Sequence, residues 1–535
     1  MSPRIRKLSE KFNGVMFRVI EGAAFRGSSD KLFTHHNGNF LGLVELLGKF
    51  DLVMNEHVRR VMSRETHVHY CGKTIQNEII NIIGNLTRDN ILSRVRKAKY
   101  YSIMLDCTPD INHVEQLSLT LRIFDIDEMC IKEHFIEFEP IFNSSGEGIY
   151  ESILSMLKSC KLELNDCRGQ GYDNGANMKG KNKGVQARIL RANPRAFFMP
   201  CGCHSLNLVV GDSVSCSIES KNFFGTIQRI YVLFSASVER WHILKKHVKS
   251  LTVKSLCETR WECRIDCINA IKNEISQIID ALIELTELNT ADHLVISEAN
   301  SLIQFIERFD FLVLITGHTE AIKSAEKLAL QLNVEPKFRV TRVIRRKKQF
   351  DHESRDEASE PQNPELYFKQ HVFNNILDQA ISSISEQNKS HEDLLKSCKD
   401  LHLKLNDQNK DKTECDLNGI DLCNEIEIVR SLYSKKDSCP LEILRFINDN
   451  KLQDTLPNLW VALRIMMTIP VTTASCERSF SKLKLIKTYL RSTMTEERLN
   501  NLALISIEND IVSKLDLNEA IQNFADLKSR KKCLF

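Results

Sequence analysis

Residues 100–110 read YYSIMLDCTPD. Apolar Tyr101, Ile103 and Leu105 alternate with Ser102, Met104 and Asp106, and that period of two predicts a mostly buried strand. The strand is expected to end on Asp106, with Thr108 and Pro109 as its stops. A carboxylate at the end of a buried strand costs desolvation unless a positive group meets it. A divalent metal is one such partner, provided that other carboxylates are placed to share it.

Two more strands are expected close behind. Gln116–Phe124 sets Leu117, Leu119, Leu121 and Ile123 against Ser118, Thr120 and Arg122, and His134–Pro140 alternates in the same way. The short connections between them, one filled by Asp125, Asp127 and Glu128, favour antiparallel pairing. After Ser144-Ser145-Gly146 a helix carries Ile149, Ile153, Leu154 and Leu157. CRGQGYDNGANMKG, Cys167–Gly180, then predicts a short strand ending near Asp173 among Gly171, Gly175 and Gly180, where glycine permits close backbone approach. A helix through Val185 and Ile189 and a fifth strand at Ala196–Met199 follow. The order β-β-β-α-β-α-β, with acids ending the first and fourth strands, is the pattern of an RNase H-like domain.

The flanks read as helical. In the first 98 residues, Phe40, Leu43, Val44 and Leu47 fall at helical spacing. Thr74 is a candidate cap for a helix bearing Ile75, Ile79, Ile82, Ile83 and Leu86. Arg88, Arg94, Arg96, Lys97 and Lys99 follow as a basic run, read as a solvated face with a phosphate-contacting face as the alternative. Residues 215–450 are helical in pattern, broken by a charged loop at 342–365 whose basic cluster Arg345-Arg346-Lys347-Lys348 suits nuclear import or DNA contact. Near the end, Leu459, Leu463, Met466 and Met467 precede Pro470. Phe480, Leu483, Ile486 and Leu490 then stripe a helix with Glu477 in its first turn, and a third helix spans about Thr495–Asp510.

At 535 residues, two or three domains are expected. A net charge of +3 excludes a chain-wide polycation, so any nucleic-acid surface is local. Seventeen scattered cysteines suit reduced thiols rather than a disulfide framework. The start, MSPRIRKLSEKF, has no apolar run of the signal-peptide kind, and no membrane span is expected.

MLDCTPD, GQGYDNGANMKG, Cys201-x-x-His204 with SLNL behind it, Thr259-Arg260-Trp261 and ASCERSFS occur in this order. Together they resemble the hAT-superfamily DNA transposases, in particular the zinc-finger MYM-like subgroup, over nearly the whole chain. The resemblance implies an RNase H-like α/β core interrupted by a large all-α insertion, after a helical N-terminal region. It implies Asp106, Asp173 and Glu477 as a carboxylate triad holding Mg²⁺ or Mn²⁺ for DNA cleavage and strand transfer, two bridged ions activating the nucleophile and stabilising the leaving oxygen. Arg260 and Trp261 match the pair that supports a flipped base, and Arg beside an aromatic suits phosphate contact plus stacking. Cys201 and His204 match a C-x-x-H element. No second pair at zinc spacing follows, so a hydrogen-bonded structural role is expected there rather than zinc.

The implied layout is a helical region at 1–98, the first part of the core at 99–214, the insertion at 215–450, the catalytic helix with the dimerisation region at 451–512, and a tail at 513–535. DNA and a second copy of the chain are the implied partners, in the nucleus. Two departures from the family stand out. Members that transpose carry a BED- or TTF-type zinc finger ahead of this region, and the first 60 residues here hold no cysteine. Pro200 and Ser205 flank the C-x-x-H element where His or Arg is common. The alternative to an active transposase is therefore a domesticated, non-catalytic nuclear protein that dimerises and binds nucleic acid or chromatin.

Overall fold

In the computed structural model the described residues are 31–65, 72–180, 182–250, 253–256, 261–288, 292–316, 321–338, 363–385, 416–433 and 438–526 without 489–490, together with Gly27, Ser29 and Lys435. They divide into two compact units, one holding the described residues up to Cys203 and those after 397, the other the described residues of 204–396.

The first unit is built on five strands: β1 (Tyr101–Pro109), β2 (Glu115–Asp125), β3 (Cys130–Ile141), β4 (Cys167–Tyr172) and β5 (Phe197–Pro200). Their spatial order is β3-β2-β1-β4-β5. β1 pairs antiparallel with β2, and β2 with β3, as the short connections require. The longer crossovers, each carrying a helix, make β4 parallel to β1 and β5 parallel to β4. This is a mixed α/β sheet whose strands succeed one another along the chain as the sequence predicts.

Both faces of the sheet are covered. Ile103, Leu105, Leu119 and Leu121 are fully buried, and so are Ser102, Met104 and Ser118, which point the other way. The helices Lys73–Ala98 and Gly146–Ser159 contribute Ile83, Ile91, Val95, Ile149 and Ile153 to the same hydrophobic core. The helix Lys73–Ala98 is preceded by Gly38–Phe50 and Leu52–Met62, and its N-cap is Gly72, so Thr74 lies inside the helix instead of capping it.

The basic run of that helix meets the sheet rather than solvent alone. Arg88 pairs with Glu137, Arg94 with Asp125 and Glu128 at 3.4 and 3.0 Å, and Lys97 with Asp127 at 2.6 Å. Acids of β2, β3 and the turn between them thus meet three of the five cations that precede β1.

The end of the chain folds back onto this sheet as three helices, Pro457–Thr468, Ala474–Ile486 and Glu496–Ile507. Leu459, Trp460, Leu463 and Ile465 are buried in the first, whereas Met466 is 40% exposed, contrary to its place in the expected stripe. Phe480 of the second stacks on Phe138 of β3 at 5.6 Å between ring centroids. Leu490 lies outside the described residues.

In the second unit the described residues form helices from Ile218–Ser235 to Pro364–Phe368. Ile230, Phe234, Leu244, Ile278, Leu282 and Leu302 are among the residues of its separate core. The charged loop at 342–365 falls almost wholly outside the described residues.

Candidate carboxylate site

β1 does not end at Asp106. It continues to Pro109, with Asp106 opposite Ser118 and Pro109 opposite Glu115. The reason lies on its other side. The parallel ladder with β4 pairs Met104 with Gly171, and β4 stops at Tyr172. Beyond Leu105, β1 therefore has a neighbour on one side only, and an edge position tolerates the missing N–H of proline.

Asp106 lies in β1 two residues beyond Met104, and Asp173 comes just after the end of β4, two residues beyond Gly171, the ladder partner of Met104. Asp106 Oδ1 accepts the Cys107 N–H at 3.0 Å, and Asp173 Oδ1 accepts the Gly175 N–H at 3.2 Å. Both line a cavity of about 260 Å³ together with Cys107, Glu115, Asn177 and Met178. Burial pushes the Cys107 thiol well up, and the carboxylates of Glu115, Asp106 and Asp173 push it further, so this end of the sheet is a region of negative potential. Glu115, at the start of β2 and opposite Pro109, was not singled out from the sequence; the β1–β2 turn returns it to the same cavity.

The helix of Glu477 crosses the face of the sheet that carries Asp106. The face carrying Asp106 also carries Ser118, whose Oγ shares a 2.8 Å hydrogen bond with Ser479 Oγ of the helix Ala474–Ile486. Ser475, on one flank of that helix, bonds to Glu133 of β3. Glu477 is two residues on, some 200° around the helix, and so lies on the flank turned away from β3. It is exposed in the first turn and does not line the cavity of Asp106 and Asp173. Burial pushes the Cys476 thiol well up, and Asp106, Glu133 and Glu477 add to that effect, so Asp106 and Glu477 act on one sulfur from two sides. Among the described residues no cluster of three or more His, Cys, Asp or Glu is drawn close enough to hold a metal ion. The structure therefore brings Asp106 and Asp173 to one cavity and leaves Glu477 outside it, on the helix that crosses the sheet.

Two glycines of the motif RGQG make this approach possible. A Cβ on Gly171 would come within 2.7 Å of Pro470 Cγ, and one on Gly169 would meet Ser102 Oγ and Pro470. Pro470 leads directly into the helix of Glu477, so bare backbone on β4 lets that connection lie against the sheet.

Cys201 is fully buried, and its Sγ accepts the Thr473 N–H at 3.4 Å. The neighbouring Gly202 N–H donates to Val471 O at 3.0 Å. The first half of the C-x-x-H element thus fastens the end of β5 to the start of the Glu477 helix. His204 is half-buried in the helix Gly202–Ser215. Arg260 lies outside the described residues, and Trp261 opens the helix Trp261–Asn273.

Known proteins match these features in the same order. DUF4371, described as the ZMYM1/FAM200 RNase-like domain, matches residues 4–184. The hAT family C-terminal dimerisation region matches residues 424–511. The mouse protein "52 kDa repressor of the inhibitor of the protein kinase" is 24% identical over 543 residues, which are 86% of this chain and 69% of that protein. The human protein of the same name is 24% identical over 546 residues with the same coverage. The RNase-like match spans both aspartates and the hAT dimerisation match spans Glu477, so in these two regions the chain is similar to hAT-transposase-derived proteins.

Proposed function

We propose that this chain is a hAT-transposase-derived nuclear protein that binds DNA and self-associates through its C-terminal region. In this reading the mixed sheet is an RNase H-like core, interrupted by an all-α insertion over about 215–450 and completed by the helix of Glu477 within 451–512. Residues 1–98 are its helical N-terminal region and 513–535 its tail. Asp106, Asp173 and Glu477 are the carboxylates that would hold Mg²⁺ or Mn²⁺, which would supply the activated oxygen nucleophile for DNA cleavage and strand transfer. Their hard oxygen donors suit such ions. Arg260 and Trp261 contact the nucleic acid, and Cys201 and His204 serve as structure.

The observation that supports this most is the cavity that Asp106 and Asp173 line together at the end of the sheet that the helix of Glu477 crosses. Carboxylates gathered around one cavity cost electrostatic energy that a bound cation would offset. A second reading, a domesticated binder without catalysis, is favoured by the exposure of Glu477 outside the shared cavity and by relatives whose name describes a repressor.

The experiment is to incubate residues 1–535 with Mg²⁺ and a pre-nicked duplex beside an Asp173→Ala control. Hairpin or strand-transfer products from the unmodified chain alone support the enzyme. DNA binding by both proteins with product from neither supports the binder. No salt-sensitive DNA affinity in either protein removes both readings, since phosphate contacts by Lys and Arg weaken steeply with salt.

A further inference from the structure

A second cavity lies on the other flank of the Glu477 helix, and its lining is mixed, with five Lys and Arg cations beside four carboxylates. It has a volume of about 380 Å³ and is lined by β3, by Ser475, Arg478, Ser479 and Lys482 of that helix, and by the segment from Ile507 to Lys514. On its wall is His134, which is 4% exposed. His134 Nδ1 lies 2.9 Å from Glu508 Oε2, while Glu508 Oε1 accepts the Phe135 N–H at 2.7 Å. A carboxylate so held is an acceptor, so Nδ1 carries the proton of the 2.9 Å bond. The other ring nitrogen, Nε2, is buried and has no hydrogen-bond partner in the protein.

An unmatched buried nitrogen costs on the order of 1–3 kcal/mol, unless a ligand supplies the missing bond. The surrounding charges indicate which ligand. Arg94, Lys132, Arg478, Lys482 and Lys514 line the cavity. The carboxylates among its lining residues are largely engaged: Glu128 by Arg94 and Lys132 at 3.0 and 2.7 Å, Glu133 by Arg122 at 2.5 Å, and Glu508 by His134. Asp510 is the fourth acid there. Arg478 donates to Ser475 Oγ at 3.0 Å and keeps further N–H groups to offer.

We propose that this cavity is a phosphate site, in which His134 Nε2 and the cations Arg478 and Lys482 hold one tetrahedral oxyanion. Nε2 accepts the O–H of a protonated phosphate oxygen or, carrying a second proton, donates to an unprotonated one. Arg478 and Lys482 supply charge-assisted hydrogen bonds from adjacent turns of one helix. The phosphate comes either free or as the end of a strand, or from within a DNA backbone. The site stands independently of catalysis by the carboxylates, because none of its residues is shared with Asp106, Asp173 or Glu477.

The test is a titration of the full chain with inorganic phosphate at constant ionic strength, chloride serving as the control. The imidazole resonances of His134 are followed by nitrogen-15 NMR and the affinity by calorimetry. The expected result is a saturable shift of the His134 ring and a loss of affinity of about tenfold in both Lys482→Gln and Arg478→Gln, the scale of one charged hydrogen bond. These positions are on the rim, so the variants should fold, and circular dichroism verifies that. Competition by a 5′-phosphorylated duplex but not by a 5′-hydroxyl duplex assigns the site to terminal or free phosphate. Competition by both assigns it to the backbone. Ring resonances that do not move, or affinities equal in all three proteins, overturn the proposal.

Discussion

Lys487 Nζ lies 2.7 Å from Asp110 Oδ2, and the two side chains are 3% and 1% exposed. Lys487 closes the helix that carries Glu477, and Asp110 follows β1 four residues after Asp106. The pair therefore pins one end of the candidate site's helix to the end of its central strand. Asp110 also accepts N–H groups from Asn112 and Val114 at 2.7 and 3.2 Å, and Glu496 lies 3.3 Å from Lys487.

The pair makes the first prediction. Burial pushes the Asp110 carboxyl up, but the Lys487 ammonium and the surrounding hydrogen bonds outweigh it and leave it below its ordinary value. Burial pulls Lys487 down, and Asp110 and Glu496 outweigh that, leaving it raised. The Asp110 contribution is thus full above about pH 4 and is lost as pH falls through the lowered folded value. The Lys487 contribution is full below about pH 10 and is lost as pH rises through the raised one. Lys487→Met leaves a buried carboxylate without its cation and should cost about 3–5 kcal/mol at neutral pH. Adding Asp110→Asn should recover much of that loss and flatten the acid limb. Urea midpoints at pH 7 and pH 3.5 check both, and an unchanged midpoint for the single variant at pH 7 refutes the pinning role.

The glycines of β4 make the second. Gly171→Ala would place a methyl against Pro470, which is held between β4 and the Glu477 helix and has little room to give. Overpacking of this kind costs about 1–3 kcal/mol. Hydrogen exchange should rise in 470–477 more than in β2 or β3. Exchange that rises evenly across the sheet would mean that the glycine serves β4 alone.

The third concerns self-association. In the helix Gly419–Leu432, Glu425 is buried and accepts the N–H groups of Asn458 and Leu459 at 3.3 and 2.7 Å, which fixes its inner side. Ile428 and Leu432, one turn apart, remain 42% and 56% exposed, and both lie in the matched dimerisation region. Apolar side chains left in water beside a fixed inner face suit a second copy of the chain. Ile428→Glu combined with Leu432→Glu should lower the mass seen by light scattering at micromolar concentration, without changing the helix content. A variant that still matches the unmodified chain in mass moves the contact elsewhere in 424–511.

The strands and their succession along the chain were legible because alternation in β1, β2 and β3 is a local signal. The extent of β1 was not, because Pro109 reads as a stop unless the early end of β4 is known. Partners distant in sequence were equally hidden. The acids that meet Arg88, Arg94 and Lys97 come from two other strands and a turn, and nothing around Lys487 names Asp110. Cys201 was assigned a structural role from its isolation, but its partner, the Thr473 N–H, arises only when the chain returns to the sheet. His134 reads in sequence as one residue of an alternating strand. Its unmatched nitrogen follows from Glu508, which belongs to another element.

The last prediction separates a metal site from a merely acidic one without asking for catalysis. Asp106 and Asp173 line one cavity, so without a cation their like charges disfavour each other there. Asp173→Asn keeps an oxygen for the Gly175 N–H and removes one charge. In EDTA it should therefore raise stability by about 0.2–1 kcal/mol, the scale of a like-charge strand pair. Mg²⁺ should reverse the ranking. A cation that binds the folded chain alone stabilises it by about 2.7 kcal/mol at a hundred times its dissociation constant. That gain belongs to the unmodified chain and should vanish in the variant. Melting temperatures of the two proteins in EDTA and in Mg²⁺ give the four values needed. If Mg²⁺ raises both proteins equally, the effect is general ionic screening. If it raises neither, the two aspartates hold no metal in the free chain, and the nuclease reading then needs DNA to complete the site.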